Sequence, residues 1–110
     1  MVNKIIVIGN LGADPEVSMI QNGKKRAEFS VATSHKFTNK NTGEVKENID
    51  WHRIECWSGL ADIVESYVKK GMLVWVEGMQ RHVKYEKEGE SKTRSYIYAK
   101  EIKILTPKNQ

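Results

Sequence analysis

Along most of this chain the apolar positions follow the two-residue period of a β-strand, and in one stretch they follow the period of a helix. The run Ile5, Ile6, Val7, Ile8, preceded by Asn3 and Lys4, is unbroken, β-branched and without a helical stripe. It predicts a strand buried on both faces, ending at the turn residues Gly9, Asn10 and Gly12. In so small a chain, two-sided burial points to a partner subunit. Asp14 and Pro15 continue the turn, and residues 17–20 form a short pairing segment ahead of Asn22-Gly23, a hairpin signal. Over residues 27–33, Ala27, Phe29, Val31 and Thr33 alternate with Glu28, Ser30 and Ala32, as in a half-buried strand. Residues 35–48 are polar around Thr42-Gly43 and hold one aromatic, Phe37, which predicts an extended hairpin loop. A lone Phe on such an arm either folds back on the body, the commoner outcome, or lies over a ligand.

Residues 49–57, IDWHRIECW, carry the most informative alternation. Ile49, Trp51, Arg53, Glu55 and Trp57 share one face, and Asp50, His52, Ile54 and Cys56 the other. With Ile54 and Cys56 on the core side, the two tryptophans face outward beside Arg53 and Glu55. That arrangement suits a stacking platform for nucleic-acid bases. It suits equally a sheet covered on both sides, or a subunit interface. A helix follows over residues 58–68, where Leu60, Ile63, Val64, Tyr67 and Val68 recur at helical spacing. Ser58 is its expected N-cap and Gly71 its left-handed C-cap, with Asp62 near the positive end of the dipole and Lys69 and Lys70 near the negative end. Residues 73–85 read as a long strand interrupted by Gly78, the mark of a bulge or bend. Residues 86–92 form a charged hairpin tip, and a last strand covers residues 93–104. Its apolar phase changes between Ile97 or Ala99 and Ile102 or Ile104, which strong curvature or a bulge explains.

Composition narrows the function only slightly. A chain of 110 residues, 39% hydrophobic and 29% charged, suits one domain with a modest core. No apolar run reaches the length of a membrane span and no signal-peptide pattern opens the chain, so an intracellular, cytoplasmic protein is expected. The net charge of +4 permits a polyanionic partner without demanding one. Cys56 is single, reads as a small buried hydrophobe, and with no CxxC or paired His suggests neither disulfide nor metal site. Gly9-Asn10-Leu11-Gly12 lacks the spacing of a phosphate-binding loop. His52 has no nucleophile or carboxylate at triad spacing, so a hydrogen-bonded structural role is expected for it. No catalytic residue, metal or cofactor is expected.

The order strand, strand, strand, helix, strand, strand matches an all-β OB-fold, a five-stranded Greek-key barrel with one helix between its third and fourth strands. Residues 1–105 form this domain and residues 106–110 a short polar tail. Nearly the whole chain resembles the DNA-binding domain of the bacterial single-stranded DNA-binding protein family. The resemblance lies in Asn3-Lys4-Ile5, Gly9-Asn10-Leu11-Gly12 with Asp14-Pro15-Glu16, Ala32-Thr33-Ser34, Thr42-Gly43-Glu44, Trp51-His52-Arg53, and Lys70-Gly71 leading to Val76-Glu77-Gly78.

The resemblance implies base stacking on Phe37, Trp51, Trp57 and Tyr85, and backbone contacts from Lys4, Lys40, Arg53, Lys70, Arg81 and Lys84. Ser18, Gly59 and Val83 stand where the family pattern has further cations, and the cluster Lys24-Lys25-Arg26 is a candidate replacement. The resemblance also places His52 at a subunit interface and implies a homotetramer. The implied function is non-catalytic, sequence-independent binding and protection of single-stranded DNA in replication, recombination and repair, in a nucleoid-associated protein of bacterial, phage or plasmid origin. The acidic tip that recruits partner enzymes in the family has no counterpart in Thr106-Pro107-Lys108-Asn109-Gln110, so tail-mediated recruitment is not expected. The alternative is an adaptor of the same fold that contacts mainly proteins, against which the four aromatics argue.

Overall fold

A computed structural model describes residues 1–20 and 22–107. Six strands and one helix follow in the order β1 (Ile5–Leu11), β2 (Glu16–Ile20), β3 (Lys24–Thr38), β4 (Val45–Trp57), α1 (Ser58–Tyr67), β5 (Leu73–Lys87) and β6 (Glu90–Ile104). The sheet runs β1-β5-β6-β4-β3-β2, and β1 also pairs with β3, which closes five strands into a barrel. The expected short pairing segment is β2, an antiparallel strip on the edge of β3. Closure demands very close backbone approach. A Cβ on Gly9 would stand 2.1 Å from the Ala32 carbonyl oxygen, and one on Gly78 2.0 Å from that of Tyr98, so both positions require glycine.

The core collects Val7, Leu11, Phe29, Val31, Ile54, Cys56, Val64, Val68, Val74, Val76 and Ile97. The bulge expected from the change of apolar phase is present. Glu77 faces Glu101 while Gly78 faces Ala99, leaving Lys100 as the extra residue, which returns Ile102 to the core side after Ala99. The polar loop expected over residues 35–48 is shorter than read, because β3 and β4 stay paired to Thr38 and Val45 and form a ribbon that projects beyond the barrel. β5 and β6 make a second such arm, turned at Glu88 and Gly89, both of positive φ.

Four expectations need correction. β1 is buried on one face only: Val7, Gly9 and Leu11 point inward, whereas Ile6 and Ile8 are about half exposed, because no layer among the described residues covers the outside. The helix has no Ser58 cap. β4 runs straight into it, Trp57 takes the N-cap place without a side-chain bond, and Ser58 is the first residue of the helix, its φ of +55 in the left-handed region making the turn from strand to helix. At the other end Val68 is the C-cap, donating its N–H to Val64 O at 3.0 Å. Gly71, with φ +85, turns the chain three residues later and donates to Leu11 O at 2.9 Å. The helix buries Ala61 and Val64, continued by the C-cap Val68, with Ile63 and Tyr67 facing out. Asp62 does not serve the dipole; it pairs with Lys25 of β3 at 2.8 Å. At the end of the domain the Thr106 hydroxyl accepts the Leu73 N–H at 2.6 Å, and residues 108–110 of the expected tail lie outside the described residues.

Candidate nucleic-acid interface

β4 is packed at one end and free at the other. Ile54, Glu55 and Cys56 are buried, whereas Trp51 remains 59% exposed and Arg53 is also exposed. Trp51 stands opposite Ala32 of β3, and its six-membered ring lies against the loop after β1. A Cβ at position 12 would come within 2.5 Å of that ring, so Gly12 is the seat of Trp51. The loop is fixed by Gly12 N–H to Ser30 O at 3.3 Å and by Lys70 N–H to Asp14 Oδ1 at 2.8 Å. Together Gly12, Asp14, Glu28, Ser30, Trp51 and Arg53 line an open cleft of about 360 Å³. Its apolar wall is the Trp51 face, and its polar wall sets the Arg53 guanidinium, paired with Glu28, among the carboxylates of Asp14 and Glu16; a ring beside a guanidinium is the pairing that holds a stacked base next to a phosphate.

An ionic chain extends along the same face. Arg53 bonds Glu28, Glu28 bonds Arg26, and Glu55 sits 4.0 Å from Arg26 and accepts a hydrogen bond from Arg94 Nη1 at 2.6 Å. Glu55 was expected on the displayed face, yet it is 1% exposed, because β6 runs parallel beside β4 there and sets Tyr98 next to it. A carboxylate so buried requires charge partners, and two guanidiniums supply them. The hydrogen bond that Arg94 donates to Glu55 holds the Arg94 pKa above its ordinary value. Arg26 lies 6.0 Å from the centre of the half-buried Trp57 ring, and Arg94 4.8 Å from that of Tyr96. Alternation marked the outward side of β3 and β4, but it did not reveal Arg94 or Tyr96. Their signal is the lone carboxylate between Ile54 and Cys56, which needs cationic neighbours.

The four aromatics do not form one plane. The β3–β4 register is unbroken from Arg26↔Trp57 to Thr38↔Val45, so Phe37 lies on the opposite side of the ribbon from Trp51, sharing its side with His52 and Thr33. Tyr85 stands on the other arm, on the same side of β5 as Arg81, while Lys84 points to the reverse side. Phe37 and Tyr85 are 41% and 43% exposed.

The remaining candidate residues are scattered. Lys40 is exposed in the turn between β3 and β4, and Lys70 is exposed beside the Trp51 seat. Lys4 pairs with Glu77 at 3.1 Å, on the outer side of β1 and β5. In the Lys24-Lys25-Arg26 cluster, Lys25 is engaged by Asp62 and Glu65 and Arg26 by Glu28 and Glu55. His52 Nε2 is 2.9 Å from Thr33 Oγ1, half-buried in a small cleft with Gln80, Ser95 and Tyr96. Burial pushes the Cys56 thiol up to about 12, which keeps it protonated and unreactive at neutral pH.

Comparison with known proteins agrees with this geometry. Residues 2–105 match the model of the single-strand binding protein family. The chain is 41% identical over 107 residues to the single-stranded DNA-binding protein 1 of Xylella fastidiosa, covering 96% of this chain and 79% of that protein. It is 43% identical over 109 residues to the single-stranded DNA-binding protein of Neisseria meningitidis serogroup A, covering 98% of this chain and 62% of that longer protein. Among solved structures, the Plasmodium falciparum SSB complex with ssDNA superposes with a TM-score of 0.87 at 30% identity, covering 96% of both chains. A deletion mutant of the single-stranded DNA binding protein from Thermus aquaticus superposes with a TM-score of 0.84 at 27% identity, over 99% of this chain and 53% of that one. On fold, site geometry and sequence together, the chain belongs to the single-strand binding protein family.

Proposed function

We propose that this protein binds single-stranded DNA non-catalytically and with little sequence preference, protecting exposed strands during replication, recombination and repair. The observation that carries the reading is Trp51, an exposed indole held in a glycine seat with Arg53 beside it. Arginines and lysines displace counterions along the backbone while rings stack on bases, and every base offers a π-face. Duplex DNA offers no free faces, which gives the preference for single strands. Phe37, on the reverse of its ribbon, and Tyr85, on the second arm, send the strand around the barrel edge rather than along one flat groove. Lys40, Lys70, Arg81 and Lys84 accompany that course, and Lys4 joins it where the path passes β1. The working unit is a homotetramer, with the half-exposed Ile6 and Ile8 and the neighbourhood of His52 at subunit contacts.

Titration with oligo-dT across a salt series tests the reading. Strong quenching of tryptophan fluorescence with affinity falling as salt rises is expected. Micromolar or weaker binding at low salt would leave the adaptor role instead.

A further inference from the structure

The resemblance implies cations at Ser18, Gly59 and Val83, which carry none, and strand register places an arginine directly across from two of them. Ser18 on β2 faces Arg26 on β3, and Val83 on β5 faces Arg94 on β6. Directly opposed residues of an antiparallel pair share one side of the sheet, with Cβ atoms about 4.5–5.5 Å apart. Resting on the DNA-binding reading above, we propose that the backbone contacts implied at positions 18 and 83 have moved one strand sideways, to Arg26 and Arg94. Glu55 is the positioning residue that holds the Arg94 guanidinium over Tyr96, and Glu28 holds that of Arg26 near Trp57.

The network has the geometry for this. Within the salt-bridged set two carboxylates, Glu28 and Glu55, face three guanidiniums, those of Arg26, Arg53 and Arg94, while Glu16, opposite Glu28, and Asp14 line the neighbouring cleft on the Arg53 side, so the cationic end of the network is the Arg26–Arg94 end. Glu55 lies beneath, 1% exposed, whereas the Arg26 and Arg94 side chains are 28% and 33% exposed. Arg94 donates to Glu55 through Nη1, which leaves the other side of its fork for a phosphate, the planar two-donor geometry that arginine offers and lysine does not. Tyr96 lies under the Arg94 guanidinium and also lines the small cleft next to Trp51 and Arg53. On its other side Tyr96 is opposite Arg81 of β5. Arg94 and Tyr96 therefore bridge the Trp51 platform and the Arg81–Tyr85 arm, filling a gap between the two groups of aromatics.

The salt dependence of oligo-dT binding to the full chain tests the proposal. Glu55→Val with Arg94→Ala removes the pair together, so no buried charge is orphaned and the net charge is unchanged. A purely long-range charge effect would leave the slope of log K against log salt where it was. The expected result is a slope shallower by about 0.7, one phosphate contact on a single strand. Adding Val83→Arg to the double variant is expected to restore it. Arg26→Val, followed by Ser18→Arg, is expected to behave in the same way. If the first pair fails to melt cooperatively, Glu55→Gln with Arg94→Gln keeps a hydrogen bond across the gap and reads the same slope. Slopes equal to wild type in the Arg94 and Arg26 variants, with melting intact, overturn the proposal. An unaltered protein without salt-dependent quenching would overturn the DNA-binding reading instead.

Discussion

The outer side of β1 and β5 and the outer side of β3 and β4 both display large apolar groups, and they differ in what surrounds those groups. On the first, Ile6 and Ile8 are aliphatic and half exposed, next to Trp75, which Lys103 covers at 5.0 Å. Its ion pairs, Lys4 with Glu77 and Lys103 with Glu101, are separate and join no guanidinium. On the second, the apolar groups are indoles, and arginines alternate with them in a continuous ionic chain. An aliphatic patch gains most from another dry surface, whereas an indole flanked by guanidiniums gains from a ligand with alternating π-faces and negative charges. Apolar exposure alone does not separate a subunit contact from a binding platform; the chemistry at its rim does.

That contrast can be broken by exchanging the roles. Ile6→Glu combined with Ile8→Glu is expected to have the largest effect, reducing the assembly to smaller species in sedimentation while each chain still quenches with short oligo-dT. Trp51→Ala is expected to leave the assembly intact and weaken oligo-dT binding by about 1–3 kcal/mol, tenfold to hundredfold. If Trp51→Ala instead bound normally and fell apart into subunits, the two faces would have been assigned the wrong way round. Gly12→Val keeps Trp51 but removes its seat, and should give a folded protein with binding weakened by about tenfold, read in the same titration.

The smallest effect concerns the core behind the platform and is read by pH. Cys56, raised by burial from 9.0 to about 12, binds its proton more tightly folded than unfolded. Lys25, raised from 10.5 to about 12 by its hydrogen bonds to Asp62 and Glu65, has the same sign. Both contributions are fully present below the unfolded values and are lost as pH rises from about 9 towards 12. Thermal melts over that range should fall steadily, Cys56→Ala should flatten the fall, and a thiol reagent at neutral pH should react only after unfolding.

Much of this was legible in the chain because strand alternation and barrel geometry speak the same two-residue language. The change of phase between Ala99 and Ile102 announced the bulge at Lys100, and the alternation around Ile54 and Cys56 gave the orientation of Trp51. Other features depend on which strand becomes whose neighbour, which no local pattern contains. Glu55 read as displayed because nothing near it in sequence shows that β6 runs beside it. The half-exposed state of Ile6 and Ile8 was hidden for a similar reason: an apolar run looks alike whether its second cover comes from its own chain or another. The reverse facing of Phe37 followed from parity once β3 and β4 were known to stay in register through residues taken as loop.

The parallel contact between β4 and β6 has a kinetic consequence. It registers only Ile54 with Ile97 and Glu55 with Tyr98, whereas β3–β4 and β5–β6 are long antiparallel hairpins built from chain neighbours. Local hairpins close small loops, while this junction joins residues some forty positions apart and gains few bonds in return. The two hairpins should therefore form early and dock on each other late along this line, with the Arg94–Glu55 pair as its latch. In native-state hydrogen exchange the amides on either side of that line are the place where the closed molecule opens first.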